Sequence, residues 1–212
     1  MAQHQSSHQK AESQGISLVE MLIGLVIIGG LLGIVMVGID LQRNAENKRI
    51  AQLYIGGWAK AYNHYYERMG IVPGDQKNQR SGLTNLPLSA SFAELFSQAG
   101  VPIPVTQQGQ PVNRYHYFDD QGNPHQLHIA FEAITVPSPE VGVGLLGNVM
   151  RLEQVSPRLF ATLEAQVDDQ PSPSGGELRC LSTLNMAEDN PMRLRNKNKA
   201  HHSFVCWYKM RF

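Results

Sequence analysis

The residue with the clearest chemical interpretation is Glu20, a carboxylate at the start of a long apolar run. The chain reads Gly15-Ile16-Ser17-Leu18-Val19-Glu20, and residues 21–39 carry no charged side chain. At the rise of an α-helix this run crosses a bilayer core of about 30 Å. An acid inside such a segment is costly unless a cation reaches it, and it is then usually functional. We therefore expect Glu20 to act through a cationic partner.

The other acids and the histidines do not form a catalytic set. No nucleophile–base–acid order, Walker-type loop or zinc spacing occurs in the sequence, so we predict a protein that is not an enzyme and needs no metal or cofactor. His116, His125 and His128 lie in or beside a predicted hairpin, where we favour exposed strand positions over a metal site. Asp168 and Asp169 indicate either a turn or a calcium ligand pair, and we favour the turn.

The charge pattern gives little support to nucleic-acid binding. The 212 residues have a formal net charge of zero, which argues against a strongly basic binding face. A basic stretch near the C-terminus is interpreted as a solvated loop rather than a DNA contact, and no firm nucleic-acid binding is predicted. Its basic residues are Arg193, Arg195, Lys197, Lys199, His201 and His202.

The two cysteines, Cys180 and Cys206, both lie in the C-terminal third of the chain. An even pair behind a membrane segment indicates an oxidising compartment and one disulfide, with two buried free thiols as the alternative. A bridge between them would close a loop whose constraint contributes roughly 3 kcal/mol in the chain-entropy model.

The sequence Gly-Ile-Ser-Leu-Val-Glu followed by an apolar run resembles the cleavage and methylation motif of type IV pilins and type II secretion pseudopilins. The resemblance implies that prepilin peptidase cuts after Gly15 and methylates the new N-terminus at Ile16. It also implies that Glu20 pairs with the N-terminal amine of a neighbouring subunit. The Pro73-Gly74-Asp75 turn, the Leu163 to Gly175 segment and the cysteine-bounded C-terminal loop resemble further pilin patterns.

The resemblance implies an α+β fold in which a long N-terminal helix packs on an antiparallel sheet. Residues 1–15 would be a leader, 16–40 a transmembrane helix that later lies in a filament core, and 41–212 a globular domain. The protein would cross the bacterial inner membrane once, with its C-terminus periplasmic, before it enters an extracellular pilus. The apolar span is followed by three basic residues, Arg43, Lys48 and Arg49. The positive-inside rule alone would therefore place the C-terminus in the cytoplasm. We adopt the periplasmic orientation, which the motif implies.

Periodicity predicts the elements of the globular part. The helix continues to about residue 69, with Tyr54, Trp58, Tyr62 and Tyr65 on one face that we interpret as core rather than as a ligand platform. Gly56-Gly57 is where this helix could bend, and Gly70 is predicted to cap its C-terminus. A further helix is predicted to start at Ser156-Pro157 and to end before Asp168. A short helix is predicted over 92–99 and strands over 112–118, 126–133, 177–184 and 204–212, whereas the type of 141–155 stays open.

The function that these features favour is that of a structural subunit, a major or minor pilin of a type IV pilus. Its partners would be prepilin peptidase, other pilin subunits in a homo- or hetero-oligomeric filament, and the inner membrane before assembly. The alternative within the same class is a pseudopilin of a type II secretion or DNA-uptake system. The alternative of another class is a single-span membrane protein with an extracytoplasmic binding domain.

Overall fold

A computed structural model describes residues 17–86, 92–105, 112–135, 146–168, 176–182 and 203–212. Contacts within the chain divide it into two compact units, with the boundary between Leu41 and Gln42. The first unit contributes a single helix to the described residues. Among the described residues, the second unit contains the rest of that helix, two further α-helices and a five-stranded sheet.

The N-terminal helix runs without a break from Leu18 to Met69. It consists of α1 (Leu18–Arg49), a π-helical segment (Ile50–Ile55) and α2 (Gly56–Met69). The wider π turn ends where the N–H of Gly56 donates to the carbonyl of Ala51, five residues earlier. A Cβ at Gly56 would lie only 3.3 Å from that oxygen, which explains a glycine at this position.

The predicted helix end at Gly70 is confirmed. Gly70 adopts φ of +66° and its N–H donates to the carbonyl of Tyr66 at 2.8 Å. This left-handed residue is the usual C-terminal cap of an α-helix, because glycine has no Cβ to strain. The chain then enters the turn at Pro73-Gly74-Asp75.

That turn is held by the carboxylate of Asp75, which accepts from the backbone N–H groups of Gln76, Ser81 and Gly82 and from the Ser81 hydroxyl. Gly74 has φ of +84°, and a Cβ there would lie 2.4 Å from the main-chain oxygen of Asn85. Only glycine fits this close approach of two backbone segments. The prediction of a tight turn is therefore confirmed.

The five strands form one antiparallel sheet in the order β1-β2-β3-β5-β4. The fold class is α+β, as expected, and a long apolar N-terminal helix followed by an antiparallel sheet is pilin-like architecture. The strands are β1 (Arg114–Phe118), β2 (Pro124–Ile134), β3 (Gly147–Val155), β4 (Leu178–Ser182) and β5 (Phe204–Lys209).

Strand β3 occupies part of the stretch whose type the sequence left open. It is the middle strand, and Val149, Met150, Leu152 and Val155 are all fully buried although they point to both faces. Arg151 and Glu153 are partly exposed, so the alternation that marks a half-exposed strand holds only from Met150 to Glu153. A bulge between Leu152 and Val155 also shifts the register of β3 on β5.

The aromatic face of the helix forms the core of the second unit, as predicted. Tyr54, Trp58, Tyr62 and Tyr65 are each at most 3% exposed. The indole of Trp58 meets the ring of Phe92 edge to face, with 5.3 Å between the centroids. Phe92 belongs to α3 (Phe92–Gln98), the short helix that was expected in this region.

Helix α4 (Pro157–Val167) follows β3 directly. Ser156 caps it as predicted, because its hydroxyl oxygen accepts from the N–H of Leu159 at 3.3 Å. At the other end, the Asp168 carboxylate accepts from the N–H groups of Glu177 and Leu178. Asp168 thus serves the turn, and Asp169 lies outside the described residues.

Candidate functional site

Glu20 lies in the first turn of α1 and its side chain is exposed. The next residue joins the same turn, since the N–H of Met21 donates to the Ser17 carbonyl at 3.1 Å. Gly15 and Ile16, the predicted cleavage and methylation residues, lie outside the described residues. What the structure adds is that the Glu20 carboxylate lies at the start of a regular apolar helix.

The apolar run exposes its large side chains along its whole length. Those that the structure describes are between 44% (Ile39) and 81% (Leu18) exposed. Each such side chain contributes roughly 1.5–3 kcal/mol when it is withdrawn from water, so a helix like this one favours lipid or another protein surface. Among the described residues, one helix is long and apolar enough to cross a membrane, and a signal sequence near an N-terminus meets the same criterion.

Five glycines of α1 make no close contact in this structure. A Cβ built at any of them would meet no atom within 4 Å: Gly24, Gly29, Gly30, Gly33 and Gly38. Each lowers the stability of an isolated helix by about 1 kcal/mol relative to alanine. Small residues of this kind are typical of places where apolar helices approach each other closely. No use for them is found within the described monomer.

The helix residues that follow the unit boundary are tied to the globular unit by side chains. Tyr115 donates to the Glu46 carboxylate at 2.7 Å, and the Arg158 guanidinium donates to Asn44 at 2.8 Å. Arg43 donates to the main-chain oxygen of Asp120 in the β1–β2 turn. Burial, together with the hydrogen bond and charge of Glu46, raises the pKa of Tyr115 to about 12.

These contacts bear on the basic residues that follow the apolar run. Arg43 holds the β1–β2 turn, and Arg49 lies 3.6 Å from the carboxylate of Glu46. Arg43 therefore also has a structural use in the globular unit, whereas the Arg49 pair is an exposed contact along its own helix. Lys48 is exposed.

Cys180 and Cys206 form a disulfide, as predicted. They are register partners on β4 and β5, with 4.1 Å between the Cα atoms and an S–S distance of 2.01 Å. The bridge joins the two strands at the base of the loop between them. Most of that loop, including the basic stretch from Arg193 to His202, lies outside the described residues.

The expectation that three hairpin histidines are exposed is wrong for His125. His116 is exposed and His128 is partly buried, but His125 is only 5% exposed. Its Nε2 lies 3.2 Å from Oδ2 of Asp119, and the ring packs beside Tyr117 at 5.4 Å between centroids. Within the described residues, no three histidine, cysteine or acidic side chains come together as a group that could hold a metal ion.

Asp119 organises the turn that buries His125. Its carboxylate accepts from the N–H groups of Gln121 and Asn123 and from the Asn123 amide. Burial acts to raise its pKa, but these hydrogen bonds and the one with His125 outweigh burial and hold the pKa of Asp119 below its usual value. The spacing Asp119-x-Gln121-x-Asn123 predicts the turn, and the alternation of Leu127, Ile129 and Phe131, extended back by two residues, is the sequence signal that places His125 on the buried face.

Comparison with protein-family models, with curated proteins and with solved structures found no match for this chain.

Proposed function

We propose that this chain is a prepilin-type structural subunit, which is anchored in the inner membrane and then assembled into a pilus. The observation that carries the proposal is the α1 helix, whose large apolar side chains are exposed from Leu18 to Ile39. The same stretch contains one acid, Glu20, in its first turn. A soluble monomer has no use for such a surface. A filament of parallel helices gives both the apolar surface and the acid a partner.

In this proposal, prepilin peptidase cuts after Gly15 and methylates Ile16, so that the mature helix starts four residues before Glu20. The amine of one subunit then meets the Glu20 carboxylate of a neighbour. An unpaired carboxylate in an apolar environment costs about 3–5 kcal/mol relative to the pair, so only helices with the matching axial offset assemble. The five glycines of α1 would let those helices approach closely.

The second unit would be the globular domain that lies in the periplasm before assembly. Its disulfide fits a periplasmic location before assembly, because disulfides form and persist in oxidising compartments. The contacts of Arg43, Asn44 and Glu46 fix the sheet to the helix just after the apolar run.

The first test is mass spectrometry of the mature N-terminus, on protein from cells that carry a pilus system. We expect a chain that begins at a methylated Ile16. An intact leader would contradict processing and would favour the single-span membrane protein. A cut beyond residue 39 would also contradict the proposal, since it would remove the helix on which assembly depends.

The second test replaces the acid. Glu20→Ala should leave membrane insertion unchanged but remove the subunit from sheared filaments, because the amine loses its partner. Asp40→Asn is the matched control, since Asp40 is the exposed acid at the other end of the apolar run. Normal incorporation of Glu20→Ala would show that the amine pairing is wrong. If the unmodified subunit is processed but never leaves the cell envelope, the protein is a pseudopilin.

A further inference from the structure

Two histidines on the outer face of the β1–β2 pair turn toward one amide group. His116 of β1 is the register partner of Gln126, and His128 lies two residues after Gln126 on β2. The Nε2 atom of His116 lies 2.8 Å from Nε2 of Gln126, and Nε2 of His128 lies 2.7 Å from Oε1 of the same amide. Both imidazoles therefore direct the same ring nitrogen at a single small group.

The amide of Gln126 is seated where a metal ion would meet both rings. Its nitrogen and oxygen are bonded to one carbon atom, so the two imidazole nitrogens approach nearly the same point from two sides. Zn²⁺ holds imidazole nitrogens at about 2.0–2.1 Å. A turn of the Gln126 side chain about its flexible torsions would admit such an ion between the rings and keep the amide oxygen within reach of it.

The pair is open to solvent on the side of the edge strand β1. His116 is exposed, and Gln126 and His128 are partly buried. The contact between His116 and Gln126 lies at the surface, so an ion can reach the amide from water. His125, by contrast, lies on the opposite face beside Asp119 and takes no part in the arrangement.

The charges around the two imidazoles balance, which leaves the nitrogen donors to decide which ion binds. A glutamate, Glu153, is the register partner of His128 on β3, and its Oε2 lies 3.9 Å from Nδ1, the ring nitrogen that faces away from Gln126. A carboxylate beside the second nitrogen is the usual neighbour of a metal-bound histidine. Imidazole suits Zn²⁺, Ni²⁺ and Cu²⁺, whereas Ca²⁺ requires several oxygen ligands. Among the described residues of β1, β2 and β3, the charged side chains on this face are two arginines and two glutamates: Arg114, Arg151, Glu132 and Glu153.

We infer that His116 and His128 bind one divalent transition-metal ion of the zinc type through their Nε2 atoms, with Oε1 of Gln126 as the third ligand. Water would complete the coordination, as in open zinc sites. The ligands are two imidazoles and an amide, which differs from a group of three histidine, cysteine or acidic side chains. Because β1 is the edge strand, the ion would fasten it to β2. This inference does not depend on filament assembly.

The test is calorimetric titration with zinc chloride of the full-length chain in detergent micelles, with alanine in place of the four histidines that lie outside the described residues. We expect one Zn²⁺ to bind per chain and Ca²⁺ not to bind at the same concentration. Zn²⁺ should also raise the midpoint of thermal unfolding, because it binds the paired strands of the folded chain. Absence of zinc binding, or equal binding of Ca²⁺, would overturn the inference. The four replaced histidines are His4, His8, His201 and His202.

Variants of that chain locate the ion. His116→Ala and His128→Ala should each raise the Kd for Zn²⁺ roughly tenfold or more, because each removes one of the two imidazole ligands. Gln126→Glu should lower the Kd, since a carboxylate oxygen is a better zinc ligand than an amide oxygen. His64→Ala, at an exposed histidine of α2, is the matched control and should leave the Kd unchanged.

The circular dichroism spectrum of each variant checks that it is folded. Unchanged affinity in a folded His116→Ala or His128→Ala variant would refute the location. Weaker binding by a folded Gln126→Glu variant would show that the ion does not lie beside the amide.

Discussion

Asn148 joins three separate segments of the globular unit, and its replacement is the sharpest stability prediction. The side chain accepts from the N–H of Thr84 at 2.9 Å and donates to the main-chain oxygens of Gly82 at 2.9 Å and Phe212 at 2.8 Å. Asn148 itself is 7% exposed and Thr84 2% exposed. Asn148→Ala should therefore destabilise the fold without touching any apolar contact of the core.

The size of the effect follows from which partners water can replace. The Thr84 N–H is buried and would keep no acceptor, which costs about 1–3 kcal/mol. Gly82 and Phe212 are both exposed, so their oxygens can be hydrated and each of these two losses is at the low end of about 0.5–1.5 kcal/mol. We expect about 2–4 kcal/mol in total, which lowers the midpoint of urea unfolding by about 1–2 M at an ordinary slope.

The assay is urea unfolding of the full chain in detergent micelles, followed by tryptophan fluorescence. Trp58 and Trp207 are 0% and 5% exposed, so both report on loss of the globular core. Gln52→Ala, on an exposed helix position, is the control and should change the midpoint little. If Asn148→Ala unfolds within about 0.5 kcal/mol of the unmodified chain, the three hydrogen bonds do not join these segments as described.

Three further predictions concern the disulfide, the turn at Pro73-Gly74-Asp75 and the stability of the fold at acidic pH. Replacing Cys180 and Cys206 by serine should lower the free energy of unfolding by about 3 kcal/mol in the same assay. Two free thiols in the unmodified chain, denatured without a reductant, would contradict the bridge. Gly74→Ala should destabilise the fold by clearly more than Gly70→Ala, because both have positive φ but only Gly74 faces a backbone oxygen within contact distance; equal effects would refute this. The pKa of Asp119 is lowered in the folded state, so its contribution to stability is complete above the unfolded pKa of about 3.9 and is lost as the pH falls below that value. Asp119→Asn should therefore flatten the pH dependence of the free energy of unfolding in this range. An unchanged profile would contradict the proposed role.

The features that could be predicted from the sequence are those whose cause is local. Gly70 ends a helix because of its own backbone conformation, and the stripe from Tyr54 to Tyr65 repeats with the period of the helix that displays it. The disulfide was predictable because only two cysteines exist. Each of these predictions needed no knowledge of what lies across the fold.

The misses occur where a distant segment changes the environment of a residue. Strand β3 alternates only from Met150 to Glu153, because its pairing with β5 puts a bulge after Leu152 and buries Val149 on the otherwise half-exposed face. His125 is buried because it lies on the inward face of β2, two residues before Leu127, where Asp119 gives its ring a hydrogen-bond partner.

The same distinction explains why Glu20 could be recognised from the sequence although the structure assigns it no contact. An acid in an apolar run is unfavourable in any single chain, so its presence indicates a partner outside the chain. The structure adds that the glycines of this run meet no neighbouring atom, while the side chains from Arg43 to Glu46 are engaged by the globular unit. A helix with a satisfied C-terminal part and an unsatisfied apolar part is expected of a subunit whose remaining contacts form only in a membrane or in an assembly.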